Sequence, residues 1–169
     1  MWRRILVATV MAVSAIPGIA SAQAQAPTVM ISNVTTRYAV ARAIDGALRR
    51  LESASCQRVF DEFANQSGVT LRTVLDESKV TAAEFLSRLR FADGNGTRQC
   101  EIKQEIAAFT VPGNRVIFVC SSKFGVDFLH QSKAAEMIII HEMLHAAGLG
   151  ENPPSSRDIT AHVTRRCGL

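Results

Sequence analysis

The stretch His141-Glu142-Met143-Leu144-His145-Ala146-Ala147-Gly148-Leu149-Gly150-Glu151 decides how the rest of this chain is read. Its first five residues spell HExxH, directly after the apolar run Ile138, Ile139, Ile140. On a helix, residues four apart lie on one face, one turn above the other. His141 and His145 can therefore present two imidazoles to one metal ion. Glu142 lies beside the pair, where it can reach a water on that ion. Zn2+ supplies the chemistry that this geometry serves, because it acidifies a bound water and polarises a substrate carbonyl. Glu142 would take the proton from that water and later pass it to a leaving amine. The helical context is present as well: Ser132 is a candidate N-cap, strong helix formers run from Ala134 to Ala147, and Gly148 sits where a helix ends in the left-handed conformation. Without a metal, the same residues would read as a core helix carrying two packed histidines.

A catalytic zinc usually has three protein ligands and one open position. Gly148 can turn the chain back under the helix, and Glu151 follows six residues after His145. A carboxylate is an accepted zinc ligand, so Glu151 is the expected third donor. Asp158 and His162, four residues apart in a later helical stretch, are the other candidates. The two could instead sit together behind a ligand, stabilise a transition state, or form a surface salt pair.

The HExxHxxGxxE spacing resembles the metzincin pattern HExxHxxGxxH, with Glu151 in place of the last histidine. No methionine follows Met143, so the methionine turn of that clan has no counterpart here. The longer string from His141 to Cys167, HEMLHAAGLGENPPSSRDITAHVTRRC, resembles the C-terminus of small secreted bacterial zincin-like proteins. The resemblance implies a metallopeptidase-like site in a zincin-like domain and no particular substrate.

Working outward, Ser155-Ser156-Arg157-Asp158 caps a last helix with Ile159, Val163 and Cys167 on one stripe. Upstream, Ile106 to Val111, then Pro112-Gly113-Asn114-Arg115, then Val116 to Cys120 predict a β-hairpin. Pro112-Gly113 suits the centre of a type II turn. The unbroken run Val116-Ile117-Phe118-Val119 predicts a strand buried on both faces. In zincins a strand beside the cleft can bind peptide by strand addition, and this hairpin is the candidate. His130 reads as a surface loop residue.

Nearer the start, helical periodicity predicts a helix over Asn33 to Ser53, with Tyr38, Ala41, Ile44, Leu48 and Leu51 recurring. Tyr38 is the one tyrosine of the chain, and reads as a core position with a wet hydroxyl, an oxyanion-stabilising role in the site being the alternative. A second helix is expected over Cys56 to Gln66, stopped by Gly68, with a short helical turn over Thr70 to Leu75. Thr81-Ala82-Ala83-Glu84 is a capping-box sequence opening a helix that buries Phe85, Leu86 and Leu89. Asp93-Gly94-Asn95-Gly96 reads as the loop that ends it.

Residues 1–22 read as a secretory signal peptide. Arg3 and Arg4 open it, Ile5 to Ile16 is an apolar run too short for a membrane span, and Ala20-Ser21-Ala22 is a small-residue cleavage pattern. Residues 23–32 follow as a flexible leader, and 33–169 as a single domain. No cysteine closely follows the apolar run, which argues against a lipid anchor. The net charge of +4 includes Arg3 and Arg4 and says little about partners. No lysine-rich run or aromatic-interleaved basic patch points to nucleic acid or membrane.

An exported chain with four cysteines suggests two disulfides. Three pairings exist; the expectation is Cys56 with Cys100 and Cys120 with Cys167, the second bracing the segment that carries Glu151. The fold class expected is α+β, mostly helical, with a small hairpin or sheet beside the HExxH helix. The function expected is that of a secreted or periplasmic, monomeric zinc peptidase acting on peptide or protein. A disulfide-stapled binding domain with a vestigial site, and a zinc hydrolase of a cell-wall amide, are the other classes consistent with these residues.

Overall fold

A computed structural model describes residues 26–102, 106–128 and 130–168. The signal-peptide reading of residues 1–22 lies outside them. Among the described residues the chain runs β1 (Thr28–Met30), α1 (Val34–Leu51), α2 (Ala54–Gln57), α3 (Val59–Glu62), α4 (Leu71–Glu77) and α5 (Ala82–Ser87). It continues through β2 (Arg90–Asp93), α6 (Arg98–Ile102), β3 (Ala108–Phe109), β4 (Val116–Val119), α7 (Ser121–Phe128), α8 (Ser132–Ala146) and α9 (Ser156–Cys167). The fold is α+β, as expected.

The HExxH helix, α8, is the centre of the core. A helix apolar on every side has to be surrounded. Ile139, Ile140, Met143 and Leu144 are fully buried, and α1 on one side and α9 on another pack against α8. The buried face of α1, Ala39, Val40, Ala43, Ile44 and Ala47, is made mostly of small residues, which lets the two helices approach closely. Glu136 is also buried in this contact. Its carboxylate is paired with Arg50, whose guanidinium also donates to the Cys167 carbonyl, so one ion pair joins α1, α8 and the end of α9. The helix begins one residue earlier than its sequence suggests: Gln131, not Ser132, is the N-cap, and its side chain makes no cap hydrogen bond.

Four strands form one sheet in the order β1-β2-β4-β3. β1, β2 and β4 run parallel, with Phe91 opposite Val29 on one side and Ile117 on the other. β3 runs antiparallel to β4 at the edge, with Phe109 opposite Phe118. The predicted hairpin is therefore present. Its turn has the expected form, since the Asn114 N–H reaches the Val111 carbonyl at 2.8 Å and Gly113 has φ 81°.

Several expectations are corrected. Residues 28–30, assigned to a flexible leader, form β1 and pair with β2. β2 itself occupies a stretch whose only sheet signal is Phe91, and its neighbours rather than its propensity place it. The proposed helix over Cys56 to Gln66 is two short helices, after which Phe63 is extended. The cause is Asn65, whose side-chain oxygen accepts from the Ser67 and Val69 N–H groups and competes with helical hydrogen bonding. β4 is buried fully on one face only. Ile117 and Val119 point inward, while Val116 and Phe118 are half-covered and Phe118 stacks on Phe109. Tyr38 is 57 % exposed, with Arg42 over its ring, and is not a core residue. The capping box at Thr81 and Glu84 and the surface position of His130 are as expected.

The disulfides are Cys56–Cys167 and Cys100–Cys120, which overturns both expected pairs. The first ties α2 to the end of α9, and the second holds α6 against the end of β4. No helix among the described residues is long and apolar enough to cross a membrane. In the loop-closure view, a crosslink stabilises more when it closes a longer loop. Replacing Cys56 and Cys167 by serine, which frees a separation of 111 residues, should then cost more than replacing Cys100 and Cys120, which frees 20. The expected losses are ~4–5 and ~3 kcal/mol. Denaturant titration of the two double variants, with mass mapping of the unreduced wild type, measures both points; equal losses would place the stabilisation outside the unfolded chain.

Candidate metal centre

The C-terminus of α8 is closed by a Schellman turn. The Gly148 N–H donates to the His145 carbonyl at 2.8 Å and the Leu149 N–H to the Leu144 carbonyl at 3.0 Å. Gly148 has φ 112°, a conformation that side-chain-bearing residues rarely adopt, and a Cβ there would also lie 3.2 Å from the Cβ of Asn65. Leu144 and Leu149 are both buried, as the motif favours. The turn has a chemical consequence. It brings the Leu149 carbonyl to 2.7 Å from His145 Nδ1. A carbonyl only accepts, so neutral His145 carries its proton on Nδ1 and its lone pair on Nε2.

The Nε2 atoms of His141 and His145 face each other at 3.1 Å, and the Glu151 carboxylate lies 3.8 Å from His145 Nε2. One ligand atom from each of the three residues lies within 4.8 Å of the others. Two nitrogens bound tetrahedrally to zinc at ~2.0–2.1 Å would be separated by ~3.3 Å, so the histidine pair has the right spacing. On the same geometry Glu151 would have to move in by about half an ångström towards His145, and the widest spacing in the group, up to 4.8 Å, would have to close by up to about 1.5 Å. The Glu151 side chain is 42 % exposed and has room to move in. The three residues could thus hold a metal ion.

The other two candidates lie elsewhere. His162 faces outward from α9, bonded to Glu62 and to Arg165 Nη2, while Arg166 also pairs with Glu62. Asp158 is exposed at the N-terminus of α9, where it is bonded to the Ser155 hydroxyl. Sequence reasoning missed Thr160, whose hydroxyl lies 2.9 Å from His141 Nδ1. The signal that could have found it is helical spacing. α9 carries one stripe into the core, and the residue after Ile159 flanks that stripe.

Glu142 is 6 % exposed, and among the described residues its Oε2 has no hydrogen-bond partner. Burial, with the Glu151 charge added, pushes its pKa up to about 8, against the opposing pull of the Thr110 backbone N–H. A buried carboxylate oxygen without a partner is costly in a purely structural site and useful where a proton is to be received. Burial, and then the neighbouring His145, lower His141 to about 3. The mouth of the site is a cleft of about 140 Å³ between α8, the first arm of the hairpin and the Glu151 turn, lined by Phe109, Thr110, Pro112 and Ser156 among others. Tyr38 does not line it.

Comparison with protein-family models, with curated proteins and with solved structures finds no match for this chain.

Two outcomes follow from the geometry. For the metal-free protein, Glu142 holds its proton to higher pH when folded than when unfolded, so stability falls as pH rises from the ordinary carboxylate range to about 8. His141 stays neutral to lower pH when folded, so stability falls as pH drops from the ordinary histidine range to about 3. Thermal unfolding of chelator-treated protein should be best in weak acid, and Glu142→Gln should remove the alkaline loss; parallel curves for the two proteins above neutral pH would refute the assignment. Second, Glu151→Ala should weaken metal binding by more than the ~10–100-fold typical of lost outer-shell partners, while His162→Ala leaves it nearly unchanged. Chelator competition measures both, and the reverse order would move the third ligand to α9.

Proposed function

We propose that this chain is an exported zinc-dependent peptidase, with His141, His145 and Glu151 as metal ligands and Glu142 as general base and acid. The observation that carries the reading is the buried, unpartnered Oε2 of Glu142 beside two imidazoles that face one point. Two nitrogens and one carboxylate oxygen are a donor set that zinc accepts in hydrolytic sites. Bound zinc supplies an acidified water and polarises the scissile carbonyl.

The protein's own residues do the rest. Glu142 ionises more readily beside a dication than its metal-free value suggests, and Oε2 then takes the proton of the attacking water. The same carboxyl returns that proton to the leaving amine. Thr110 keeps Glu142 oriented through its backbone N–H. β3 is the edge strand of the sheet and lines the cleft with Ala108 and Phe109, which supports an extended peptide laid along it. A second cavity of about 210 Å³ shares His141, Glu142 and Ser156 with the cleft and adds Phe128, Ile138 and Thr160. Two disulfides and the signal-like residues 1–22 support export.

Glu142→Gln keeps the shape of the side chain and loses the proton acceptor. The variant should hold zinc as the wild type does and lose ~10²–10⁴-fold or more in peptide hydrolysis, since one group serves both proton transfers. Turnover of a peptide mixture by zinc-loaded wild type and variant, with metal analysis of each, tests this. Wild-type protein that binds zinc and cleaves nothing, or a variant that cleaves normally, would end the peptidase reading.

A further inference from the structure

The two ring nitrogens that face away from the metal position have unlike partners. His145 Nδ1 meets the Leu149 carbonyl, which can only accept. His141 Nδ1 meets the Thr160 hydroxyl, which can donate or accept by rotating about its C–O bond. The difference matters because the two Nε2 atoms are 3.1 Å apart. With His145 fixed as the Nδ1–H tautomer, its Nε2 offers a lone pair. If His141 were also Nδ1–H, two lone pairs would face each other in a buried site, and that arrangement suits only a cation between them.

We infer that the Thr160 hydroxyl switches the tautomer of His141 as the metal binds, so that the site is satisfied both with and without it. In the metal-free state the proton of His141 lies on Nε2 and is donated to His145 Nε2, at a distance ordinary for an N–H···N bond. Thr160 then donates to the bare Nδ1. In the metal-bound state His141 Nδ1–H donates to Thr160 Oγ1 and both Nε2 lone pairs are free for the ion. The exchange conserves protons: one leaves Nε2 to water, one arrives at Nδ1 from water, and the imidazole stays neutral. Thr160 stands at the solvent-exposed edge of the site, bordering the cavity beside His141, where water can carry that proton. A backbone carbonyl or a carboxylate at this position would hold His141 permanently in the binding tautomer. Thr160 is thus a positioning residue that acts on the ion through His141.

The metal-bound half of this inference rests on the metal reading above; the metal-free half does not. The test is long-range proton–nitrogen correlation spectroscopy of the histidine side chains in chelator-treated and zinc-loaded full chain, with zinc affinity measured by chelator competition. The expected result is His145 as Nδ1–H in both states, and His141 as Nε2–H without zinc and Nδ1–H with it. Thr160→Val should bind zinc ~10–100-fold more weakly, the usual effect of losing an outer partner, and Thr160→Ser should restore most of the affinity. A merely structural role for Thr160 would lower the unfolding temperature of Thr160→Val and leave its zinc affinity unchanged. His141 as Nδ1–H in the metal-free protein, a doubly protonated His141, or wild-type zinc affinity in Thr160→Val would each overturn the inference. Should the wild type take up no zinc, the metal reading falls, and the metal-free spectrum alone upholds or overturns the donor role of Thr160.

Discussion

The arrangement depends on one backbone turn. α8 has to stop directly after His145, and the chain has to fold back within three residues to bring Glu151 to the same point. Gly148 allows this by adopting φ 112°. The turn also supplies the carbonyl that fixes the tautomer of His145. The helix end, the orientation of His145 and the return of Glu151 are therefore consequences of a single residue without a side chain. Behind the turn, the loop carrying Asn65 and Gln66 packs so closely on Gly148 and Gly150 that a Cβ at either glycine would press on it. A loop that interrupts the sequence-predicted helix thus has a function in the fold: it is the surface on which the turn is formed.

The hairpin is held to the same point. Its turn residue Gly113 donates to the His145 carbonyl at 2.9 Å, the carbonyl that also accepts from Gly148. Two turns from distant parts of the sequence thus share one acceptor at the end of α8. Register follows from this contact, because once Gly113 is fixed there, Thr110 faces Glu142 and Ala108 and Phe109 line the cleft. The edge strand and the Glu142 carboxyl are placed by the same hydrogen bonds, as the proposed alignment of an extended chain with one proton acceptor would require.

How much of this could be read from the sequence depends on the range of the cause. HExxH, the stop at Gly148, the Pro112-Gly113 turn and the Thr81 capping box are local, and each is where its residues suggest. The four residues of β2 carry little strand propensity and the three of β1 are too few to signal alone; β2 becomes a strand because β4 offers it a partner, and β1 because β2 does. The disulfides fail for the same reason. Cysteine pairing is a statement about tertiary distance, and Cys56 finds Cys167 only because α2 and α9 pack together. In the site, the three grouped donors were legible by spacing. Thr160 was not, since its role needs the crossing of two helices.

That crossing gives the last helix a part which its sequence hides. Asp158 and His162, the chemically eye-catching residues of α9, face solvent or the Glu62 and Arg166 cluster, while the hydroxyl between them touches His141. α9 is pinned at its end by the Cys56–Cys167 bond, by Arg50 on the Cys167 carbonyl, and along its side by the Glu62 pairings. A hydrogen bond from a freely moving helix would orient an imidazole poorly, because outer partners tune a metal ligand only when they are themselves held. The staple at the end of the chain and the chemistry at its centre are thus connected through one short path: Cys167, the helix axis, Thr160, His141. Since the clamp comprises a covalent bond and two charged clusters on separate elements, the position of Thr160 is set by the tertiary structure as a whole rather than by its own neighbours in sequence.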